Sequence, residues 1–333
     1  MTIAIDDGQC RRIAERLDRV EVRPDAVTVR ADTEAERRRE ANLLFFLVGI
    51  CQSTRTLQGT VDGQWYRGWD YLVRAARRAL RADPAAFRAE RLAAVGGDDL
   101  RALFSDDGTP ESCTLDRIDE RVNQLRDAAR VLLAHYGGDV MALCRAAGQR
   151  VEGEGGILER LAECDAYRDP IRKKAFLLTM FLVQAGIWEV QDLENLRVAI
   201  DYHIMRIALR SGIVRVEDSE LAARLRERAP ASEAEDNTIR EAVREACDRL
   251  VTASRQSVFA VDNILWMMGR NCCFYDYEPI CGPNTCGRRD ACTFVRGIDY
   301  ECPGRCLLDG VGRGSLDAEY RAYWETNLYT DYY

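Results

Sequence analysis

The sequence lacks any apolar run long enough to cross a membrane, and its first thirty residues contain no continuous apolar stretch. A transmembrane helix needs about 20 consecutive apolar residues, and a secretory signal peptide needs an apolar core of its own. The sequence therefore argues against a transmembrane or secreted protein. It predicts a cytoplasmic protein without a membrane partner.

An excess of basic residues is also lacking. The chain has 47 Lys and Arg against 55 Asp and Glu, and the formal net charge of −8 argues against a general polyanion binder. A local basic site stays open, because the few cations that touch phosphate supply the affinity for nucleic acid. Lysine is especially scarce: all of the Lys and Arg residues are arginine except Lys173 and Lys174. A GC-rich coding bias explains the arginines, and the two lysines stand out against it.

Alternating apolar and polar residues, the pattern of half-buried strands, are scarce, whereas apolar residues recur at helical spacing along most of the chain. Gly, Pro and Asp separate the periodic segments. The sequence predicts an all-α protein without internal repeats. Helices are expected over residues 36–58, 64–82, 117–135, 138–147, 156–166, 171–186, 202–211, 218–228, 238–252 and 256–270.

The length of 333 residues suits one large domain or two lobes. We expect a monomer with a helical lobe that ends in a hairpin, a second helical lobe built from two segments, a cysteine-rich metal loop and a C-terminal tail. The predicted boundaries are 60–190 for the first lobe, 1–59 plus 191–270 for the second, 271–306 for the loop and 307–333 for the tail.

Cysteine, by contrast, is abundant, with thirteen residues in the chain. Seven of them lie between Cys272 and Cys306. In a cytoplasmic protein such crowding favours metal or iron–sulfur ligation over disulfides. The other six are scattered and are expected to be small buried apolar residues. They are Cys10, Cys51, Cys113, Cys144, Cys164 and Cys247.

Four residues of the cysteine-rich segment follow the spacing C-x7-C-x4-C-x5-C, directly after an amphipathic helix. Four thiolates within twenty residues can bind one [4Fe–4S] cluster, and zinc held by four thiolates is the chemical alternative. The predicted ligands are Cys273, Cys281, Cys286 and Cys292. The residues that could join or replace them are Cys272, Cys302 and Cys306.

Three segments resemble one known family. The string "ILWMMGRNCC", followed by further cysteines, is similar to the C-terminal end of the endonuclease III and adenine glycosylase branch of the helix-hairpin-helix DNA glycosylases. "NLLFFLVGICQSTRTLQG" is similar to the early buried helix of that family, and "VAIDYHIMRIALRSG" to its V-D-T-H-I-x-R-V segment. The resemblance implies a two-lobed helix-hairpin-helix fold, a [4Fe–4S] cluster, and as partner a DNA that contains a modified base.

The same resemblance implies roles for single residues. Asp201 would be the catalytic carboxylate, and Lys174 would be the lysine that attacks the anomeric carbon in bifunctional members. Gln52 would fill the gap that a flipped base leaves in the DNA stack. His203 and Arg206 lie in register with the family segment and are expected to contact DNA or substrate. Structural alternatives stay open: a plain helix N-cap for Asp201, a hydrogen-bonding group for His203 and a polar helix end for Gln52. For Lys173 and Lys174 the alternative is a pair of exposed lysines that contact phosphate or water.

The hairpin departs from that family, whose L-P-G-V-G-x-K-T-A motif is replaced here by "ECDAYRDPIRKKAFLL". Without the glycines, a phosphate would have to bind at the helix N-terminus after Pro170, assisted by Arg168, Arg172 and Lys173. This hairpin and "DGQWYRGWDYLVRAARRAL" also resemble the queuosine salvage nucleosidases, which hydrolyse a free modified nucleoside. Trp69, in the second string, is a candidate for stacking on a base.

The chemistry expected of these residues is cleavage of an N-glycosidic bond. A carboxylate such as Asp201 stabilises the oxocarbenium-like sugar and orients or deprotonates the attacking water, and a helix start keeps it ionised. The leading hypothesis is a monofunctional DNA glycosylase that flips a modified or damaged base. The alternatives are a nucleosidase that releases a queuosine-like base from a free nucleoside, and a non-catalytic iron–sulfur protein that binds nucleic acid.

Overall fold

The computed structural model describes residues 2–23, 31–275, 278–287 and 292–333. Helices dominate these residues, and the short strands pair only in twos, so the protein is mostly α. The resemblance to the helix-hairpin-helix fold stays a prediction. By its contacts the chain divides into two units. Unit 1 contains the described residues of 1–25 together with Arg197–Tyr329, and unit 2 contains those of 26–196 together with Thr330–Tyr333.

The helices and strands have the following bounds. Before residue 197 they are β1 (Ile3–Ile5), α1 (Asp7–Leu17), β2 (Glu21–Val22), α2 (Glu34–Gly49), β3 (Gln58–Val61), β4 (Gln64–Arg67), α3 (Trp69–Ala82), α4 (Ala89–Leu92), α5 (Gly97–Leu103), α6 (Ile118–Tyr136), α7 (Val140–Ala146), α8 (Ile157–Leu161) and α9 (Lys173–Gln184). After it they are α10 (Tyr202–Ser211), β5 (Val214–Val216), α11 (Ser219–Glu227), α12 (Glu233–Ala253), α13 (Val258–Asn271), α14 (Phe294–Gly297), β6 (Ile298–Asp299), α15 (Arg313–Leu316) and α16 (Ala318–Arg321). Within the described ranges, no helix is both long and apolar enough to cross a bilayer.

The core of unit 2 forms around α2. This helix begins with a capping box, in which the side chains of Thr33 and Glu36 bond each other's backbone N–H groups. Its second half, "EANLLFFLVG", is buried on every side, because α2 packs on α6, α7 and α9. Phe45 in this half stacks on Tyr167, with ring centroids 5.4 Å apart. Residues 31–59, which the sequence assigned to the other lobe, thus group with 60–196 by their contacts.

A β-hairpin occupies a stretch where the sequence predicts two helices, over 36–58 and 64–82. Helix α2 ends at Gly49, and Ser53 takes a left-handed conformation with φ of 47°. Strands β3 and β4 then pair antiparallel across Asp62 and Gly63, whose φ values of 52° and 79° are those of a type I′ turn. The helix prediction is therefore wrong for 50–58 and 64–68, because the turn residues reverse the chain between them.

Unit 1 is built on two helix pairs, α1 with α12 and α10 with α13, and on the antiparallel pair β1–β5. Helices α10 and α13 approach closely at Gly269. A Cβ atom on this residue would lie 2.6 Å from the Cβ atom of His203 and 2.9 Å from its carbonyl oxygen. Only glycine permits this separation, so Gly269 fixes how near α10 lies to α13.

The predicted tail, 307–333, is a short helical region followed by an extended segment. Helices α15 and α16 cover its first part. Residues up to Tyr329 belong to unit 1, whereas Thr330–Tyr333 belong to unit 2. The tail is thus an ordered part of both units, and it contains no long terminal helix.

Candidate functional site

Asp201 is the N-cap of α10, as the sequence predicted. Its backbone is extended, its carboxylate accepts the N–H of Ile204 at 3.0 Å, and its carbonyl oxygen accepts the N–H of Met205 at 2.9 Å. The residue is only 5% exposed. A buried carboxylate therefore lies at the positive end of a helix, where negative charge is stabilised.

Arg206 lies one turn further along α10 and is fully buried. Its guanidinium donates to the Glu325 carboxylate at 2.6 Å and to the carbonyl oxygen of Gly269 at 3.2 Å, and lies 2.9 Å from Nδ1 of His203. Burial is the largest single effect on the pKa of Arg206 and lowers it, but the Glu325 carboxylate, with smaller contributions from Tyr275 and Cys273, raises the pKa overall. Arg206 is therefore a permanent cation with protein partners inside unit 1.

Aromatic rings surround His203 and Arg206. The His203 ring lies 4.3 Å from the ring centroid of Tyr202 and stacks loosely on Phe274 at 6.5 Å. The Arg206 guanidinium lies 4.5 Å above the ring centroid of Tyr275. These contacts support the structural alternative for His203, and a substrate role for His203 or Arg206 stays a prediction.

Lys174, in the first turn of α9, is completely buried. Its Nζ donates to the carbonyl oxygen of Gly49 at 2.7 Å and to Oε1 of Gln52 at 2.9 Å. Burial lowers the pKa of the Lys174 amine to about 8. The amine thus titrates much nearer to neutral pH than an exposed lysine does, and it is bonded to the residues that follow α2.

Gln52 connects Lys174 to a chain of polar side chains in unit 2. Its amide nitrogen donates to Oε1 of Gln124 at 2.6 Å and to Oε1 of Glu120 at 3.0 Å, both in α6. Nε2 of Gln124 donates in turn to Oδ2 of Asp331 at 2.8 Å. Gln52 is itself fully buried, which favours an internal role over insertion into a DNA stack.

In the segment that replaces the family hairpin, a side chain of the protein bonds two of the N–H groups. The Asp169 carboxylate accepts the N–H of Ile171 at 3.0 Å and that of Lys173 at 2.8 Å. Anion binding at this helix start stays a prediction. The nearby arginines face carboxylates as well: Arg168 pairs with Asp165 at 2.5 Å, and Arg172 lies 3.7 Å from Glu152.

Two further predicted residues lie in unit 2. Nζ of Lys173 lies 3.3 Å from Sγ of Cys51, and Lys173 is buried. Trp69, at the start of α3, stacks on Phe181 with ring centroids 5.6 Å apart and an interplanar angle of 9°. Trp69 is half-buried, so one part of the ring packs in the protein and another part stays accessible.

The seven clustered cysteines separate by burial into two sets. The buried set is Cys272, Cys273, Cys281 and Cys306, and the half-buried set is Cys286, Cys292 and Cys302. Backbone bonds join the segments of the buried set: Ile280 donates to the carbonyl of Cys272 at 2.8 Å and accepts from the N–H of Cys306 at 3.1 Å. A hydrogen bond from the Cys272 thiol lowers the pKa of Cys306, and burial raises the pKa of Cys281 to about 12.

Metal binding by the clustered cysteines stays a prediction. In residues 2–23, 31–275, 278–287 and 292–333, no three His, Cys, Asp or Glu side chains converge on a position that could hold a metal ion. The predicted ligands Cys273 and Cys281 lie in the buried set, whereas Cys286 and Cys292 lie in the other. Residues 288–291, between these last two ligands, lie outside the described residues.

The scattered cysteines behave as expected, with one exception. Cys10, Cys51, Cys144, Cys164 and Cys247 are buried, whereas Cys113 is only half-buried.

The structure brings the predicted residues together in two groups. Lys174 and Gln52 lie together in unit 2, and Asp201, His203 and Arg206 lie on one helix of unit 1. The sequence reasoning missed their polar partners Glu120, Gln124, Asp331 and Glu325. These partners belong to no local motif: Gln124 is 72 residues from Gln52 and 207 from Asp331. Only the fold reveals them.

The comparison with protein families gives one match. A family model described as queuosine salvage protein matches residues 49–273, about two thirds of the chain. The matched range includes Gln52, Lys174 and Asp201, and it ends at Cys273, before most of the clustered cysteines. A comparison with curated proteins found no match.

Proposed function

Because the chain belongs to the queuosine salvage protein family, we propose that it is an N-glycosidase that releases a queuosine-like, 7-deazapurine base from a modified nucleoside. The observation that carries the proposal is the buried carboxylate of Asp201 at the N-terminus of α10. The match supports this nucleoside hypothesis over the DNA glycosylase hypothesis. It gives no support to a role in DNA repair.

Asp201 would act on the sugar and on water. As the bond between the anomeric carbon and the base nitrogen breaks, its electron pair leaves with the base, and positive charge develops on the sugar. The Asp201 carboxylate stabilises that charge and accepts a proton from water, whose oxygen forms the new bond to the anomeric carbon. The departing base takes up a proton, so the reaction consumes one water and needs no metal or nucleophilic lysine.

The surroundings of the altered hairpin support a small neutral substrate over duplex DNA. DNA-binding proteins gain most of their affinity from cations that neutralise phosphates. Here Arg168 and Arg172 already face carboxylates, and the N–H groups of Ile171 and Lys173 bond to Asp169. The net charge of −8 adds a general repulsion of polyanions.

The test is the substitution Asp201→Asn, assayed for base release from queuosine-like nucleosides. Asparagine is as good an N-cap as aspartate, so the fold should keep its unfolding midpoint. The carboxylate is lost, and kcat should fall by about 100-fold to 10,000-fold. The matched control is Asp218→Asn, at the N-cap of α11, where the side chain accepts two backbone N–H groups. This control should change neither kcat nor the unfolding midpoint.

Full activity of Asp201→Asn would remove the assignment of Asp201. The substrate class is tested separately, with the wild-type protein and two substrates that carry the same modified base, a free nucleoside and a DNA duplex. We expect release from the nucleoside and no salt-dependent binding of the duplex. Release from the duplex alone would instead support the DNA glycosylase hypothesis.

A further inference from the structure

The last four residues of the chain form hydrogen bonds with three other residues of unit 2, Ser53, Arg117 and Gln124. The carbonyl oxygen of Thr330 accepts a hydrogen bond from the Arg117 guanidinium at 2.7 Å, and that of Tyr333 accepts the N–H of Ser53 at 3.3 Å. Between them, the Asp331 carboxylate accepts from Gln124. The segment thus contacts both α6 and the residues that follow α2, and Tyr333 is buried.

The direction of each hydrogen bond in this group is determined by its two ends. The ammonium of Lys174 can only donate, so the carbonyl oxygen of Gln52 must face it, and the amide nitrogen of Gln52 must face the carbonyl oxygen of Gln124. The amide nitrogen of Gln124 then faces Asp331, whose carboxylate can only accept. Because Lys174 can only donate and Asp331 can only accept, each of the two amides between them has one possible orientation.

We propose that Asp331 is a positioning residue, which orients Gln124 and Gln52 and thereby holds Lys174 as an ammonium ion beside the carbonyl of Gly49. The proposal rests on the proposed function only where it is tested by activity. The carboxylate of Glu120 also accepts from Gln52, but it is paired with Arg117 at 2.6 Å. Asp331 therefore supplies the negative charge of this group that acts on Lys174.

The charged groups around Lys174 come from four segments. Lys173 in α9 and Arg121 in α6 disfavour its ammonium form, and Asp331 favours it. The Cys51 thiol, which follows α2, favours the ammonium form only when it is ionised. With two cations opposed to one carboxylate in a buried place, removal of the carboxylate charge must shift the amine toward its neutral form.

The scarcity of lysine allows a direct test. With selectively ¹³C-labelled lysine, the whole chain gives ε-carbon signals from Lys173 and Lys174 alone, and each can be titrated with pH. In Asp331→Asn, the titration midpoint of Lys174 should move to lower pH, and Asp331→Glu should restore it. The matched control is Glu319→Gln, an exposed carboxylate of α16, which should leave both midpoints unchanged.

Gln124→Met is a second test, which breaks the hydrogen-bonded series between Lys174 and Asp331 without removing a charge. It removes both hydrogen bonds of the amide while keeping a side chain of similar length. We expect the ε-carbon signal of Lys174 to change its chemical shift, and kcat for the proposed glycosidase to fall by about 10-fold to 100-fold with a smaller change in KM.

An unchanged Lys174 midpoint in folded Asp331→Asn would overturn the proposal, and so would an unchanged Lys174 signal in folded Gln124→Met. If Asp331→Asn does not fold, the Gln124→Met spectrum decides. A shifted midpoint in a protein that releases no base from any nucleoside would support the role of Asp331 and count against the proposed function. The two failures are therefore distinguishable.

Discussion

At the scale of single residues, burial gives Lys174 a pKa near the neutral range, which has a measurable consequence. The amine donates to a carbonyl oxygen and an amide oxygen, both of which are uncharged. These acceptors satisfy the hydrogen bonds of the amine, but they do not neutralise the positive charge of its ammonium form. The lowered pKa follows from burial, and it makes the stability of the protein depend on pH in a defined window.

The stability prediction compares the wild type with Lys174→Met. In the folded protein the pKa of Lys174 is about 8, against an ordinary value of 10.5. Between these pH values the unfolded chain binds more protons than the folded one, so the free energy of unfolding rises with pH. Relative to Lys174→Met, the wild type should gain about 3 kcal/mol from pH 8 to pH 10.5. Urea unfolding at several pH values measures this, and parallel curves for the two proteins would contradict it.

At the scale of secondary structure, helices α10 and α13 of unit 1 approach closely at Gly269. The separation of α10 and α13 there leaves no room for a Cβ atom next to the backbone of His203. Because α10 also begins with Asp201, any displacement of this helix moves the proposed catalytic carboxylate.

Gly269→Ala should therefore destabilise the protein by about 1–3 kcal/mol, the usual cost of overpacking, even though alanine is the better helix former. The matched control is Gly97→Ala in α5, where a Cβ atom would make ordinary contacts at 3.4 Å. It should leave stability unchanged or raise it slightly. Equal unfolding midpoints for Gly269→Ala and the wild type would show that the two helices can separate at little cost.

The hairpin shows which elements could have been predicted from the sequence. The string "VDGQW" contains Asp-Gly between strand-forming residues, which is the strongest short signal for a two-residue hairpin turn. The apolar periodicity of "NLLFFLVGI" and "DYLVRAARRAL" on either side led to helices being predicted as far as residue 58 and from residue 64, up to and into the two strands. By contrast, the start of α10 at Asp201 was correctly predicted, because a capping residue directly precedes an amphipathic run.

At the scale of the whole molecule, the cysteine-rich segment gives a prediction that is independent of catalysis. Anaerobically purified protein should contain either iron and sulfide, with broad visible absorption, or zinc without that absorption. Cys281→Ser should lower the metal content, because Cys281 belongs both to the predicted ligands and to the buried set. Cys113→Ser, at a half-buried cysteine of unit 2, is the matched control and should retain the metal. Protein without iron or zinc would end the metal hypothesis.

The candidate site was only partly predictable from the sequence, for reasons that also concern the whole molecule. Asp201 and Lys174 were found because each lies in a short recognisable segment. Gln124 and Asp331 could not be found, because their roles arise from hydrogen bonds across 72 and 207 residues of chain. Which N–H groups after Pro170 are free could not be predicted either, because this depends on the geometry of Asp169, which accepts those of Ile171 and Lys173.

The division of the chain between its two units also affects synthesis on the ribosome. Strand β1 belongs to unit 1, but its partner β5 is translated about 200 residues later, so the first segment must wait for most of the chain. Unit 2 is also discontinuous in sequence. Its residue Asp331 is translated only after all the residues of unit 1. Lys174 and Gln52 therefore remain without this carboxylate until Asp331 has left the exit tunnel. A ribosome stalled before residue 330 would carry a nascent chain whose lysine is not yet held in place.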